Sequence, residues 1–289
     1  MQSLNLIIQA PDVSTAALKH LAMLSKARNI GAVQGFSHQV FSLSGADIDS
    51  KNAVAQFCEA EKCDFGFVNA DSKLTDYKLL AMDMDSTLIT IECIDEIADF
   101  INKKAEVAAI TEAAMRGEID WPQSLRQRVA LLAGLPASTL EAVFTQRLKL
   151  TPGAAQLASV AKATGLKTMV VSGGFTFFTQ RLQAQLKLDF AFSNELEIID
   201  HKLTGKVLGA LCDAQAKAKH VQDAAAQLGA SKAEIITIGD GANDLAMMAV
   251  SGTSIAYHAK PKVRQEARFA LNNVDLSGAL AVLGHTKTP

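Results

Sequence analysis

Residues 79–87 read LLAMDMDST, four apolar residues that run directly into two aspartates. The apolar run predicts a buried β-strand. Because side chains alternate along a strand, Asp83 and Asp85 are expected to point to one side, while Met82 and Met84 point away. Two neighbouring carboxylates repel each other unless one is protonated or a cation lies between them. The stretch therefore predicts an acidic site at a strand end, although a polar turn with one aspartate capping a helix is also compatible with it.

A second strand that ends in acidic residues lies at residues 235–244, which read IITIGDGAND. The two glycines of this segment allow the backbone to approach a ligand closely. If this strand neighbours the strand at 79–82 in a parallel sheet, Asp240 can reach a metal ion that Asp83 also binds. The two segments together predict one metal site built from two strand ends.

The glycines also suggest a dinucleotide-binding Gly-x-Gly-x-x-Gly loop. However, Asp244 occupies the last glycine position and Asp240 lies within the loop, so a pyrophosphate would face two negative charges. We therefore reject that alternative. The sequence also contains neither a Cys-x₅-Arg loop nor a His-Glu-x-x-His pair, which excludes two other common hydrolase sites.

Two further features suit a phosphate group, although each is weak alone. A strand predicted at 168–171 runs into Ser172 and Gly173, which offer a hydroxyl and exposed backbone N–H groups. Lys217 lies on the apolar stripe of a helix that begins near Asp213, where a lysine either binds an anion or extends its ammonium group to solvent. With the acidic segments, these features meet the needs of metal-assisted phosphoryl transfer.

The chain is predicted to be an α/β protein with two units and one insertion. Residues 1–76 have a β-α-β-β-α-β pattern, the ferredoxin-like order, and residues 77–289 alternate strands with helices as in a parallel, Rossmann-like sheet. Residues 91–150 show no strand signal and form a helical insertion at the carboxyl ends of the strands. The predicted strands of the first unit are 4–9, 33–36, 40–43 and 65–68, with helices at 14–28 and 50–61. Those of the second unit are 79–82, 168–171, 235–238 and 254–256, with a hairpin turn at 200–201, and the insertion helices are 92–101, 104–115, 122–132 and 138–147.

The composition restricts the function classes. Apolar residues make up 49% of the 289 residues and the net charge is −2, which favours a globular protein and gives no case for nucleic acid or a membrane surface as partner. No segment has the length of a membrane-spanning helix, and residues 1–12 lack the pattern of a signal peptide. The four cysteines are scattered, as expected for reduced thiols in a cytoplasmic protein.

The chain resembles the haloacid dehalogenase superfamily over about residues 77–275. The resemblance rests on Asp-x-Asp-x-Thr, a serine after a second strand, a lysine and a Gly-Asp-x-x-x-Asp segment, in that order. The Asp-x-Asp-Ser-Thr and Gly-Asp-Gly-Ala-Asn-Asp strings further resemble its phosphoserine phosphatase branch. The matching residues are Asp83, Asp85, Thr87, Ser172, Lys217, Asp240 and Asp244.

The resemblance implies a mechanism. Asp83 attacks phosphorus and becomes an aspartyl phosphate, while Asp85 protonates the leaving alkoxide and later takes a proton from the hydrolytic water. It implies a Mg²⁺ ion held by Asp83, the main-chain carbonyl of Asp85, and Asp240. Ser172 and Lys217 would neutralise the phosphoryl oxygens. The remaining implied site residues are Gly173, which offers a backbone contact, and Asn243 and Asp244.

The insertion resembles the cap of this family and would select the substrate. By resemblance, Glu92 binds the amino group of phosphoserine, Arg128 binds its carboxylate, and Met115 and Trp121 shield the site from water. The helical spacing places Arg128 at the edge of an apolar face, whereas Arg126 points elsewhere. There are simpler alternatives to substrate binding by these two residues. Glu92 could lie on a solvated helix face, and Arg128 could form a surface ion pair.

Three alternatives stay open. Transfer of the phosphoryl group to an acceptor alcohol, or hydrolysis of another small phosphate ester, would use the same core residues. The unit at 1–76 loosely resembles the ACT-like domains that precede some phosphoserine phosphatases, which implies a possible homodimer. A pure amino-acid sensor is the alternative from another class, but it would not need Asp83, Asp85, Lys217 and Asp240 in catalytic order.

Overall fold

The computed structural model describes residues 3–284, which form two β-sheets covered by helices. One sheet has four antiparallel strands and the other has seven strands, six of which run parallel. The predicted α/β class and the Rossmann-like parallel sheet are confirmed.

The first unit has the predicted β-α-β-β-α-β order, and its strands lie in the sequence β2-β3-β1-β4 across the sheet. Ser14 caps α1 as expected, because its hydroxyl accepts a hydrogen bond from the Ala17 N–H. The strand expected at 33–36 is wrong: β2 pairs with β3 from Asn29 to Val33, and the next residues form the turn between them. Since β2 is an exposed edge strand, no burial pattern marks it in the sequence. The elements are β1 Leu4–Ala10, α1 Thr15–Leu24, β2 Asn29–Val33, β3 Gln39–Ser44, α2 Lys51–Glu61 and β4 Asp64–Asn69.

The second sheet has the order β11-β10-β9-β5-β6-β7-β8, with β7 and β8 forming an antiparallel hairpin. All four predicted strands are present, and β5 lies fully buried between β9 and β6. The hairpin turns at Asp200 and His201 as expected, and both residues have positive φ angles. The full length of β7 and the short β11 were not predicted, because one mixes polar with apolar residues and the other has only three residues. The strands are β5 Leu79–Met82, β6 Lys167–Phe175, β7 Phe190–Ile199, β8 Lys202–Leu208, β9 Ile235–Gly239, β10 Thr253–Tyr257 and β11 Phe269–Leu271.

Four helices, α3 to α6, form the insertion between β5 and β6, and we call this segment, residues 91–150, the cap. Their bounds agree with the predicted ones to within a few residues. Five more helices, α7 to α11, cover the second sheet, and α12 contacts strands of both sheets. The helices are α3 Cys93–Asp99, α4 Lys104–Met115, α5 Trp121–Ala130, α6 Ser138–Gln146, α7 Ala154–Ala163, α8 Thr176–Leu186, α9 Ala214–Gln227, α10 Leu245–Ala249, α11 Pro261–Glu266 and α12 Gly278–Val282.

Apart from the exposed edge strand β2, the four-stranded sheet is covered on both faces. One face packs on α1 and α2, and the other joins the core of the second unit, where Ile7 and Val68 share a cluster with Phe269 and Val282. At the same junction, the buried carboxylate of Asp64 accepts backbone hydrogen bonds from residues 272–273. The two units therefore share a continuous packed interface.

Within residues 3–284, no helix combines the length and apolar character needed to cross a bilayer. The four cysteines are buried and form no disulfide.

Candidate active site

A cavity of about 530 Å³ lies between the cap and the carboxyl ends of β5, β6 and β9. Parallel strands deliver their end residues to one edge of the sheet, which explains how segments more than 150 positions apart meet here. Most of the predicted site residues line this cavity: Asp83, Asp85, Ser172, Gly173, Asp240 and Asn243 from the second unit, and Glu92, Trp121 and Arg128 from the cap.

The two acids of the first motif reach the cavity by a different geometry from the expected one. Strand β5 ends at Met82, and residues 84–88 form a tight turn in which Ser86 has a φ of 56°. Asp83 and Asp85 both line the cavity, as predicted. However, their side chains are oriented by this turn and not by the alternation of side chains along a strand. Met82 and Met84 are fully buried in the core.

Lys217 contacts two carboxylates below the cavity. Its Nζ lies 2.8 Å from Asp83 Oδ1 and 2.8 Å from Asp244 Oδ1, and only 1% of its side chain is exposed. The other oxygen of Asp244 accepts backbone hydrogen bonds from Asp240 and Gly241. Lys217 is therefore a buried counter-ion of the nucleophile candidate and does not extend to solvent.

At the two glycines of the 239–244 loop, other side chains of the same loop occupy the space that a side chain would take. A side chain at Gly239 would overlap the Asp244 carboxylate, and one at Gly241 would overlap Asn243. Asn243 in turn places its Nδ2 3.5 Å from Asp83 Oδ2. The close approach allowed by the glycines thus lets the loop fold around its own polar side chains.

The acidic cluster carries excess negative charge. Burial raises the pKa of Asp83 well above its usual range, and the neighbouring Asp244 adds to this effect while Lys217 opposes it. Burial and Asp244 also raise the pKa of Asp240 to about 6. Burial alone would lower the pKa of Lys217, but Asp244 and Asp83 raise it, so the lysine stays charged. One ammonium group therefore faces three carboxylates.

A hard divalent cation fits this cluster. Oxygens of Asp83, Asp240 and Asp244 lie within 4.8 Å of one another, and they are the donor type that Mg²⁺ prefers. Thr87 holds Asp240 in place, since its hydroxyl donates to Asp240 Oδ1 at 3.1 Å. The third member of this trio is Asp244 and not Asp85, and metal binding by the Asp85 main-chain carbonyl stays a prediction.

Asp85 is placed to carry a proton. One of its oxygens accepts a hydrogen bond from the Cys93 N–H at 3.0 Å, and the other lies 3.5 Å from the Ser172 hydroxyl. Removal from solvent raises the pKa of Asp85. A carboxyl group that retains its proton beside a nucleophile can act as a general acid.

Ser172 and Gly173 lie in an irregular part of β6, beyond the end of the predicted strand. The ladder between β6 and β7 pairs Val171 with Phe192 and resumes only at Phe175 and Asn194, so residues 172–174 bulge out of register. The Ser172 hydroxyl accepts a hydrogen bond from the Gly174 N–H at 2.8 Å. The bulge presents the serine and the backbone to the cavity.

The cap brings an unpaired cation to the cavity. Arg128 is half-buried, and its Nε donates weakly to the Ser124 carbonyl at 3.4 Å. Among the described residues, it forms no ion pair within 4.0 Å, in contrast to the alternative of a surface ion pair. Burial lowers the pKa of Arg128, while Asp95 and Glu92 oppose this effect. Arg126, by comparison, is exposed and does not line the cavity.

Glu92 lies on the cavity wall formed by the cap. Its side chain is open to solvent, and its Oε1 accepts a hydrogen bond from the Ser86 hydroxyl at 2.8 Å. The surrounding protein and the neighbouring Asp85 raise the pKa of Glu92 to about 7. Trp121 also lines the cavity, and its ring packs so closely on Gly173 that a Cβ there would lie 3.0 Å from Trp121 Cζ2. The side chain of Met115 lies outside the described part of the structure.

Lys260 and Asn194 are among the residues of this region that sequence reasoning missed. Lys260 follows β10 and lines the cavity, and the rule that strand ends share one edge could have found it. Asn194 is fully buried behind Gly173, within β7. A single polar residue within a mixed strand carries no sequence signal.

A family model for haloacid dehalogenase-like hydrolases matches residues 80–249, which include the paired aspartates, the serine, the lysine and the second acidic loop. A model for a domain of unknown function matches residues 6–54. The chain belongs to the haloacid dehalogenase-like hydrolase family.

Several relatives carry a more specific name. A phosphoserine phosphatase of Polaromonas sp. is 53% identical over 218 residues, which are 74% of this chain and 92% of the relative. A solved family hydrolase of Salmonella enterica serovar Typhi is 32% identical with a TM-score of 0.89 and covers 99% of this chain and 100% of its own. A substrate-bound phosphoserine phosphatase is 38% identical with a TM-score of 0.67, over 71% of this chain and 97% of its own. The Polaromonas relative and the substrate-bound structure assign the chain to the phosphoserine phosphatases, and they confirm the resemblance seen in the motifs.

Proposed function

We propose that this protein hydrolyses O-phospho-L-serine to L-serine and inorganic phosphate with the help of Mg²⁺. The observation that carries this proposal is a single cavity with two kinds of wall. The wall of the second unit carries a nucleophile beside a buried lysine, and the cap wall carries an unpaired arginine and a carboxylate. Such a cavity matches a small molecule with a phosphate at one end and an amino-acid group at the other.

In the first step, a carboxylate oxygen of Asp83 attacks phosphorus and the bond to the serine oxygen breaks. Asp85 gives its proton to that oxygen, so serine leaves as a neutral alcohol. Asp83 is then an aspartyl phosphate and Asp85 is ionised. The raised pKa of Asp85 supports this role, because the carboxyl group holds a proton until the leaving group needs it.

In the second step, water attacks the phosphorus of the aspartyl phosphate. Asp85 takes a proton from this water, and the bond from phosphorus to the Asp83 oxygen breaks. Inorganic phosphate leaves, and both acids return to their starting states.

The phosphoryl oxygens meet positive and hydrogen-bonding groups on the wall of the second unit. Lys217 and the Ser172 hydroxyl would neutralise them, with Gly173 and Asn243 as further donors. Asp83, Asp240 and the main-chain carbonyl of Asp85 would hold Mg²⁺. When bound there, the ion would neutralise part of the negative charge of the acidic cluster and of the phosphate.

Phosphate release from L-phosphoserine, with and without Mg²⁺, tests the proposal directly. We expect turnover with Mg²⁺ and at least about a 100-fold loss after EDTA treatment, because the acidic cluster otherwise repels the phosphate. Restoration by added Mg²⁺ is the control. Metal-dependent release from other phosphate esters, but not from phosphoserine, would contradict the substrate assignment and leave the Asp83 chemistry intact.

The pKa of Glu92 predicts a pH dependence for substrate binding. Only ionised Glu92 attracts the substrate ammonium, and the pKa of Glu92 is raised to about 7. As pH falls from about 8 to 6, Glu92 gains a proton and KM for phosphoserine is expected to rise several-fold. The Glu92→Gln variant should lose this dependence. The same pH dependence of KM for p-nitrophenyl phosphate, which has no amino group, would argue against the role of Glu92.

We further propose that the protein works in the cytoplasm and that residues 1–76 form an ACT-like unit which supports a homodimer. The four unpaired cysteines support the compartment. The faces of the four-stranded sheet are otherwise covered, so its exposed edge strand β2 is where a second copy could pair. This exposed edge supports the homodimer. Light scattering on the full chain tests the second proposal, and a monomer at assay concentrations would contradict it.

A further inference from the structure

Asn194 connects the Ser172–Gly173 segment with the residues that precede α9. It lies within β7 and is fully buried. Its Nδ2 donates a hydrogen bond to the Gly173 carbonyl at 2.8 Å, and its Oδ1 accepts one from the Cys212 N–H at 2.8 Å. Both ends of the amide are therefore occupied, and this fixes the orientation of the side chain.

The first of these bonds acts on the bulge in β6. Residues 172–174 lie out of register with β7, so their backbone groups lack the regular partners of a ladder. The Asn194 side chain supplies one of the missing partners, at Gly173. This bond helps to fix the backbone that presents Ser172 and the Gly173 N–H to the cavity.

The second bond acts on the start of the lysine helix. Cys212 directly precedes Asp213, which caps α9 by accepting a hydrogen bond from the Ala216 N–H at 2.8 Å. Lys217 lies in the first turns of that helix and contacts Asp83. Asn194 thus connects the serine segment to the start of the helix that carries the lysine.

We propose that Asn194 is a positioning residue for phosphate binding, which holds the Ser172–Gly173 backbone and the start of α9 in one geometry. It does not touch the phosphate. The inference deepens the proposed function and rests on the phosphate site described there. A donor and an acceptor are both needed, so aspartate at this position places a carboxylate oxygen against the Gly173 carbonyl and breaks the arrangement.

The test compares Asn194→Asp and Asn194→Ala with wild type, using L-phosphoserine, p-nitrophenyl phosphate and inorganic phosphate as an inhibitor. We expect kcat/KM to fall roughly 30-fold for both esters, because misplaced phosphate donors lose much of their stabilisation of the transition state. The Ki for inorganic phosphate should rise roughly 10-fold. The ratio of the two KM values should stay unchanged, since the cap groups are untouched.

Gln9→Leu is the matched control, because Gln9 is another fully buried amide and donates to the Gly278 carbonyl at 3.2 Å, far from the cavity. It should lower the unfolding temperature while kcat/KM and the phosphate Ki stay within about twofold. The proposal would be overturned if folded Asn194→Ala kept the phosphate Ki and the kcat/KM of wild type. This result would be decisive even if Asn194→Asp does not fold. If wild type hydrolyses p-nitrophenyl phosphate but not phosphoserine, the proposed function fails, and the inference on Asn194 is decided by the other two compounds.

Discussion

Asp83→Asn is expected to reduce phosphate release by about 10⁴-fold or more, because an amide cannot form the aspartyl phosphate. The substitution keeps the size of the side chain and removes one negative charge beside Lys217, which still contacts Asp244. The variant should therefore fold, and a thermal unfolding curve verifies this. Steady-state phosphate release measures the loss.

Asp85→Asn separates the two steps and serves as the matched comparison for Asp83→Asn. With p-nitrophenyl phosphate, whose leaving group needs no proton, Asp85→Asn should release one p-nitrophenolate per site in a burst and then stall as the aspartyl phosphate. Asp83→Asn should show no burst. A burst from Asp83→Asn would exclude Asp83 as the nucleophile.

Arg128→Ala is expected to raise KM for phosphoserine roughly 100-fold, because a charge-assisted bond in a partly buried site is worth about 2–3 kcal/mol. The structure supports a large effect, since the guanidinium lines the cavity and has no carboxylate partner among the residues described. KM for p-nitrophenyl phosphate, which lacks a carboxylate, should change by less than about threefold. Kinetics with both esters provide the measurement.

Arg126→Ala is the matched control, since Arg126 lies on the same helix but is exposed and outside the cavity. Its KM for both esters should equal that of wild type. Equal losses on the two esters in Arg128→Ala would show that Arg128 supports the cap in general and does not select the substrate carboxylate.

Local patterns predicted the elements of this fold well. A buried strand needs only a short apolar run, and the runs at β5, β6, β9 and β10 are clear in the sequence. The edge strand β2 could not be placed in the same way, because it is exposed and its position depends on pairing with β3. For the same reason the bulge at residues 172–174 is invisible in the sequence, since a register exists only between two strands.

The sequence by itself determined which chemical groups the site contains. Each of these groups follows a predicted strand or lies on a predicted helix: Asp83, Asp85, Ser172, Asp240 and Lys217. The carboxyl ends of parallel strands meet at one edge of a sheet, so the groups at these ends are expected to lie together. Distances between these groups, however, depend on contacts between parts of the chain that are far apart in sequence.

Only the tertiary structure decided how the groups act on one another. The position of Lys217 in the sequence is compatible with a side chain that extends to solvent. Its role as a buried counter-ion is seen only from its contacts with Asp83 and Asp244. The proposed binding role of Arg128 rests on the folded cap, which places its charge at the cavity without an ion-pair partner among residues 3–284. The proposed role of Asn194 likewise rests on tertiary contacts, because its fully buried amide satisfies its donor and its acceptor on two separate segments of the chain.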